Sequence, residues 1–145
     1  MQRRRGRREA VPVAPGESTS AESPFSAKQL ARLDEALTLS SRETSVQFSL
    51  YVGELGANPR RQAEQLHSGL GAEAPDSVLV AVSPGERRLE IVTGEQTAKR
   101  LPDRACALAA LSMTASFNGG DLVGGIVNGL RMLADQAGKP SLTPR

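Results

Sequence analysis

The stretch Val78-Leu79-Val80-Ala81-Val82-Ser83-Pro84-Gly85-Glu86-Arg87-Arg88-Leu89-Glu90-Ile91-Val92 decides the fold. Five consecutive apolar residues from Val78, mostly β-branched, are what a strand covered on both faces requires. Pro84-Gly85 suits the central pair of a type II turn, with proline pre-setting φ and glycine accepting the positive φ that follows. Beyond it Leu89 and Ile91 alternate with Arg88, Glu90 and Val92, so a second strand returns antiparallel along the first.

Upstream, Val46, Phe48, Leu50 and Val52 alternate with Gln47, Ser49 and Tyr51, the period-two signature of a half-buried strand. Asn58-Pro59 then reads as an N-cap and first helical residue, opening a helix through Ala63, Leu66 and Leu70 that stops near Gly69 or Gly71. Strand followed by helix on this spacing is the grammar of an α/β layer. Earlier still, Ser26 with Gln29 forms a capping box. Phe25 is placed to staple onto Leu30, and Leu30, Leu33 and Leu37 share the face of a helix that runs to about Leu39.

Downstream, a short helical segment from about Glu95 to Leu101 precedes Pro102-Asp103. A small-residue helix then carries Ala105, Leu108, Ala109 and Leu111 through Phe117 and ends at Asn118-Gly119-Gly120. Asp121 caps a last helix whose Leu122, Ile126, Leu130 and Leu133 lie on one side. Gly124, Gly125 and Gly129 each cost about 1 kcal/mol relative to alanine inside a helix, which close packing would justify.

Residues 1–24 are rich in Arg, then in Pro, Gly, Ser and Glu, with too little apolar bulk to offset the entropy of ordering. They read as a disordered tail, with one α/β domain over 25–138 and a frayed end at 139–145. Arg3, Arg4, Arg5, Arg7 and Arg8 dominate the charge: removing these five and Glu9 from totals of 18 basic and 16 acidic residues leaves a net −2. The basic pI therefore describes the tail, which is suited to electrostatic contact with nucleic acid or anionic lipid.

Composition excludes several function classes. A single cysteine, Cys106, cannot form an intramolecular disulfide, and one histidine, His67, leaves no His/Cys cluster at zinc spacing. Three Phe, one Tyr and no Trp make a poor stacking platform for single-stranded nucleic acid. The longest apolar runs fall far short of the roughly 18 residues a membrane helix needs. Pro, Gly and Ser follow the arginines where a signal peptide would be apolar, so a cytoplasmic location is expected. No Ser-His-Asp, Cys-His or phosphate-loop motif is present. His67 reads as a surface or boundary histidine, and Cys106 as a buried structural thiol whose position early in a helix could depress its pKa. Asp76, Asp103 and Asp121, at strand and helix ends, are the remaining material for a metal or acid-base site.

Several phrases together resemble the TPM domain, the family named for thylakoid-lumen phosphatase, photosystem-repair and acetylcholine-receptor-modulator founders. They are Ser77–Ser83, Glu86–Glu95, Leu101-Pro102-Asp103 and Phe117–Ile126, and the nearest relatives resemble small, uncharacterised actinobacterial proteins of this kind. The resemblance covers Phe25 to Gly138 and implies a three-layer α/β/α sandwich around a small mixed sheet. It also implies that Asp76, Asp103 and Asp121 hold calcium or magnesium, in some members for acid phosphatase chemistry. Two departures stand out: Pro75-Asp76-Ser77 replaces an Asp-Asn-Gly motif, and Thr93–Arg100 retains one glycine and gains Lys99 and Arg100. Fewer carboxylates and added cations weaken such a site. The expected function is a non-enzymatic partner-binding or accessory module. The alternatives are a divalent-metal-dependent phosphatase, and a domain tethered by its Arg tail to nucleic acid or lipid.

Overall fold

A computed structural model describes residues 25–139, so the expected disordered tail, with Arg3, Arg4, Arg5, Arg7 and Arg8, and the frayed end from residue 140 lie outside the described residues. Four α-helices and three strands follow one another: α1 (Ala27–Thr44), β1 (Gln47–Val52), α2 (Pro59–Ser68), β2 (Ser77–Ser83), β3 (Arg88–Thr93), α3 (Asp103–Asn118) and α4 (Leu122–Ala137). Short 3-10 turns at Gly71–Asp76 and Thr97–Lys99 complete the order.

β2 is the centre of the sheet. It pairs parallel with β1, Phe48 opposite Val78 and Leu50 opposite Val80, and antiparallel with β3, Val80 opposite Ile91. Every residue of β2 is buried, as its unbroken apolar run requires. Val78, Val80 and Val82, with Phe48, Leu50 and Ile91, join the main core under α1, α3 and α4. On the other face Leu79, Ala81 and Val92 pack with Leu55 and Ala63 beneath α2. Three layers result: one helix, a mixed three-stranded sheet, and three helices, the α/β sandwich expected from sequence.

The caps behave as read. Gln29 N donates to Ser26 Oγ at 3.1 Å while Ser26 N donates to Gln29 Oε1 at 2.9 Å, the reciprocal pair that starts α1. Asn58 Oδ1 accepts from Arg61 N at 3.2 Å, with Pro59 inside the first turn of α2.

Two local expectations are corrected. α1 does not stop near Leu39 but runs to Thr44, because its polar last turn bonds into the next element. Buried Thr44 Oγ1 donates to Ser40 O at 2.7 Å and accepts from Val46 N at 3.0 Å, and Ser41 Oγ accepts from Phe48 N at 3.0 Å. Nor is Pro84-Gly85 the centre of a type II turn. The connection takes four residues, Arg87 N donating to Pro84 O at 3.3 Å, and Arg87 carries the positive φ of 57° in place of Gly85.

α4 is the buried helix, packed between α1 and α3, and its glycines permit that position. A Cβ on Gly125 would lie 2.8 Å from Phe117 and Ser116 side-chain atoms, and one on Gly129 would lie 2.5 Å from Met113 Cγ. Close helix packing is therefore what both glycines serve. Arg100 locks the far end: its guanidinium donates to Thr44 O at 2.7 Å, Ala137 O at 3.0 Å and Gly138 O at 2.6 Å. It thereby satisfies the orphan carbonyls of α1 and α4 together, where both helix dipoles favour a cation.

Candidate functional site

The carboxylates singled out from sequence take separate places. Asp103 is the first residue of α3, and Asp121 follows that helix as the N-cap of α4, its Oδ1 accepting from Gly124 N at 2.9 Å. The 16 residues of α3 put about 24 Å of helix between them, far beyond the span of one ion's coordination shell. Asp76 closes the 3-10 turn ahead of β2. Among the described residues no three His, Cys, Asp or Glu side chains are grouped to hold a metal. A calcium or magnesium ion shared by Asp76, Asp103 and Asp121 does not fit this arrangement, and the need for helix caps accounts for Asp121.

His67 and Cys106 also find structural employment. His67 is not at the surface but buried under the start of β2, with Nε2 3.2 Å from Ser77 O. Burial lowers its pKa, against the opposing pull of the Ser77 and Ala74 carbonyls. The Cys106 thiol, half-buried and 3.8 Å from Leu101 O, has its pKa raised by burial first and Asp103 second. The reading of Cys106 as a structural thiol therefore fits better than the alternative of a depressed pKa, because the desolvated site and the neighbouring carboxylate both oppose a thiolate.

Two charged residues that sequence reasoning did not single out organise the sheet's rim. Glu86, in the β2–β3 turn, accepts at Oε1 from Leu55 N at 2.8 Å and from Ser83 Oγ at 2.8 Å, and also from Gly56 N. Those bonds, the Leu55 amide foremost, hold its pKa below the usual carboxylate value. Arg60 leans from α2 across the edge of β3, donating Nη1 to Ile91 O at 2.8 Å while lying 3.3 Å from Glu90 and 3.1 Å from Glu64. Nothing local in sequence marks either role, since the partners lie about thirty residues away.

An open cleft of about 570 Å3 lies between β3 and the second half of α3. Leu89, Ala110 and Phe117 line it and are half-buried against the main core, so its apolar surface continues the interior. Arg87, Arg88, Thr114 and Asn118 are exposed along its rim. At 3.6 residues per turn, Leu111 falls beside Thr114 on the surface of α3, next to the cleft but outside its lining, and it is 69% exposed. Leu108, one turn earlier, is 51% exposed. Of the 16 residues of α3 only Ala109 and Met113 are buried, which leaves an alanine- and leucine-rich surface uncovered. No described helix is long and apolar enough to cross a membrane.

The comparisons with known proteins agree with this architecture. Residues 3–134 match the family described as Domain of unknown function (DUF5130), and the chain belongs to that family. Two uncharacterised proteins of Mycobacterium tuberculosis, MT2543 of strain CDC 1551 and Rv2468c of strain H37Rv, are each 38% identical over 122 residues, covering 83% of this chain and 71% of theirs. Among solved structures, the BA42 protein of Bizionia argentinensis superposes with a TM-score of 0.72 at 14% identity, covering 82% of this chain and 85% of that one. The N-terminal domain of cg2496 from Corynebacterium glutamicum gives 0.67 at 13% identity, covering 86% and 85%. At such identities the likeness is one of fold.

Proposed function

We propose, with membership in DUF5130 as the premise, that this chain is a non-enzymatic, TPM-like module that binds a protein partner in the cleft between β3 and α3. One observation carries the reading: a cleft open to solvent with an apolar floor of Leu89, Ala110 and Phe117, beside which Leu111, outside the lining, stands 69% exposed on α3. A large apolar side chain held in water on a rigid helix gains about 1.5–3 kcal/mol when it is covered, so its position favours a partner. The groups that could do chemistry support the same reading by their occupations. His67 is bonded to the sheet backbone, Asp121 caps a helix, and Cys106 is held as a thiol.

The test compares full-length wild type with Leu111→Lys as bait in lysate of the host organism. Leu111 lies outside the core, so the variant keeps its circular dichroism and melting temperature. A discrete partner recovered with wild type and lost with the variant is the expected outcome. Identical recovery with both proteins would refute docking on the α3 surface that carries Leu111 beside the cleft.

A further inference from the structure

We infer that the occupant of the β3–α3 cleft is an extended acidic peptide segment, with apolar side chains at alternate positions, laid along the outer edge of β3. This inference rests on the docking reading above and supplies its chemistry.

The backbone provides the first argument. The bond from Gly94 N to Ser77 O, 2.9 Å, fixes which β3 residues face β2. In an antiparallel ladder the facing residues alternate, so Arg88, Glu90 and Val92 bond inward while Leu89, Ile91 and Thr93 turn N–H and C=O to the outer edge. Arg60 takes the Ile91 carbonyl, which blocks the edge from there onward. Leu89 remains, beside the cleft, as the point where a short added strand can pair. Alternate side chains of that strand then point into the cleft, onto Leu89, Ala110 and Phe117.

Charge supplies the second. Arg87, Arg88 and Glu90 are the charged residues lining the cleft. Glu90 is paired with Arg60, and Glu86, in the same turn, is committed to the Leu55 and Gly56 amides. Arg88 lies near enough to Glu86 to help keep it ionised, yet among the described residues neither Arg87 nor Arg88 makes an ion pair within 4 Å. Both residues are exposed and border the turn end of the cleft, Arg87 from the turn and Arg88 from the first position of β3, where it alternates with Leu89 and leans to the α2 side; their positive charge favours a carboxylate at that end.

Random heptapeptides displayed on phage, selected on the immobilised full chain, provide the probe. The selected peptides are titrated against wild type, Arg87→Glu/Arg88→Glu, and Thr114→Trp, which fills the cleft from its exposed rim; Arg88→Glu alone serves if the double variant does not fold. The expected peptides carry Asp or Glu next to alternating apolar residues and weaken as salt rises. They lose about ten-fold in affinity on charge reversal, as two reversed exposed ion pairs imply, and lose binding altogether in Thr114→Trp. Peptides that depend on Thr114 but are neutral or basic, or that ignore the charge reversal, overturn this inference and leave docking intact. Peptides indifferent to Thr114→Trp, or no selection at all, overturn the docking reading itself. Binding of phosphatidylglycerol vesicles in place of peptides, or self-association abolished by Thr114→Trp, also overturns the inference, assigning the cleft to lipid or to a second copy.

Discussion

The Glu86 carboxylate accepts a 2.8 Å hydrogen bond from the Leu55 amide 31 residues earlier, tying the β2–β3 turn to the loop that leaves β1. Gly56 N and Ser83 Oγ add to the same carboxylate, so one exposed side chain fixes two loops at one end of the sheet. A pKa depressed by those bonds means that the folded protein binds the Glu86 proton less readily than the unfolded chain. The stabilisation is therefore complete above the ordinary carboxylate value of 4.5 and is lost as pH falls through the lower folded value. Glu86→Gln should melt below wild type at pH 7, with the gap closing toward pH 3, and amide exchange at Gly56 should quicken.

His67 acts in the neighbouring pH window. Its folded pKa is lowered from 6.5, chiefly by burial, so unfolding takes up a proton as the solution is acidified below that value. Stability should fall from about pH 6.5 downward until the folded pKa is passed. In His67→Gln that part of the slope should vanish, which thermal melts between pH 5 and 7.5 would show.

Arg100 should matter more than its exposure suggests. Its donors serve carbonyls of two helix ends, and removing them leaves Thr44 O and Ala137 O without those partners. Arg100→Met is expected to cost about 3 kcal/mol in urea unfolding, with Arg100→Lys recovering only part, because a single ammonium cannot span both helix ends.

Gly129→Ala tests the contact between α3 and α4. The added methyl would meet Met113 Cγ at 2.5 Å, so a loss of about 1–3 kcal/mol is expected. Combined with Met113→Ala, the two changes should be less than additive, since the smaller side chain makes room for the methyl.

Legibility in sequence followed the range of the interactions. The hairpin, the Ser26–Gln29 box and the Asn58 and Asp121 caps rest on contacts within a few residues, and each was readable. The end of α1 was not, because Ser41 and Thr44 look like helix breakers until the backbone of the next strand receives them. Arg100 read as a cation beside a ligand loop, yet its acceptors lie 37 and 56 residues away. His67 sits four residues after buried Ala63 and three before Leu70, so helical spacing did point it inward, and only its polar ring argued for the surface. The cleft was beyond local reading altogether, since it exists only once α3 has returned beside β3. Leu108 and Leu111 read simply as members of a small-residue helix, and only the fold shows them uncovered.

The most direct test of a partner in the β3–α3 cleft is photo-crosslinking in the living host, with p-benzoylphenylalanine in place of Asn118 at the end of the cleft rim or of Gln65 on the exposed surface of α2. The account predicts a discrete crosslinked protein from position 118 that is absent from position 65. Adducts equal at the two positions, or found only at 65, would contradict it.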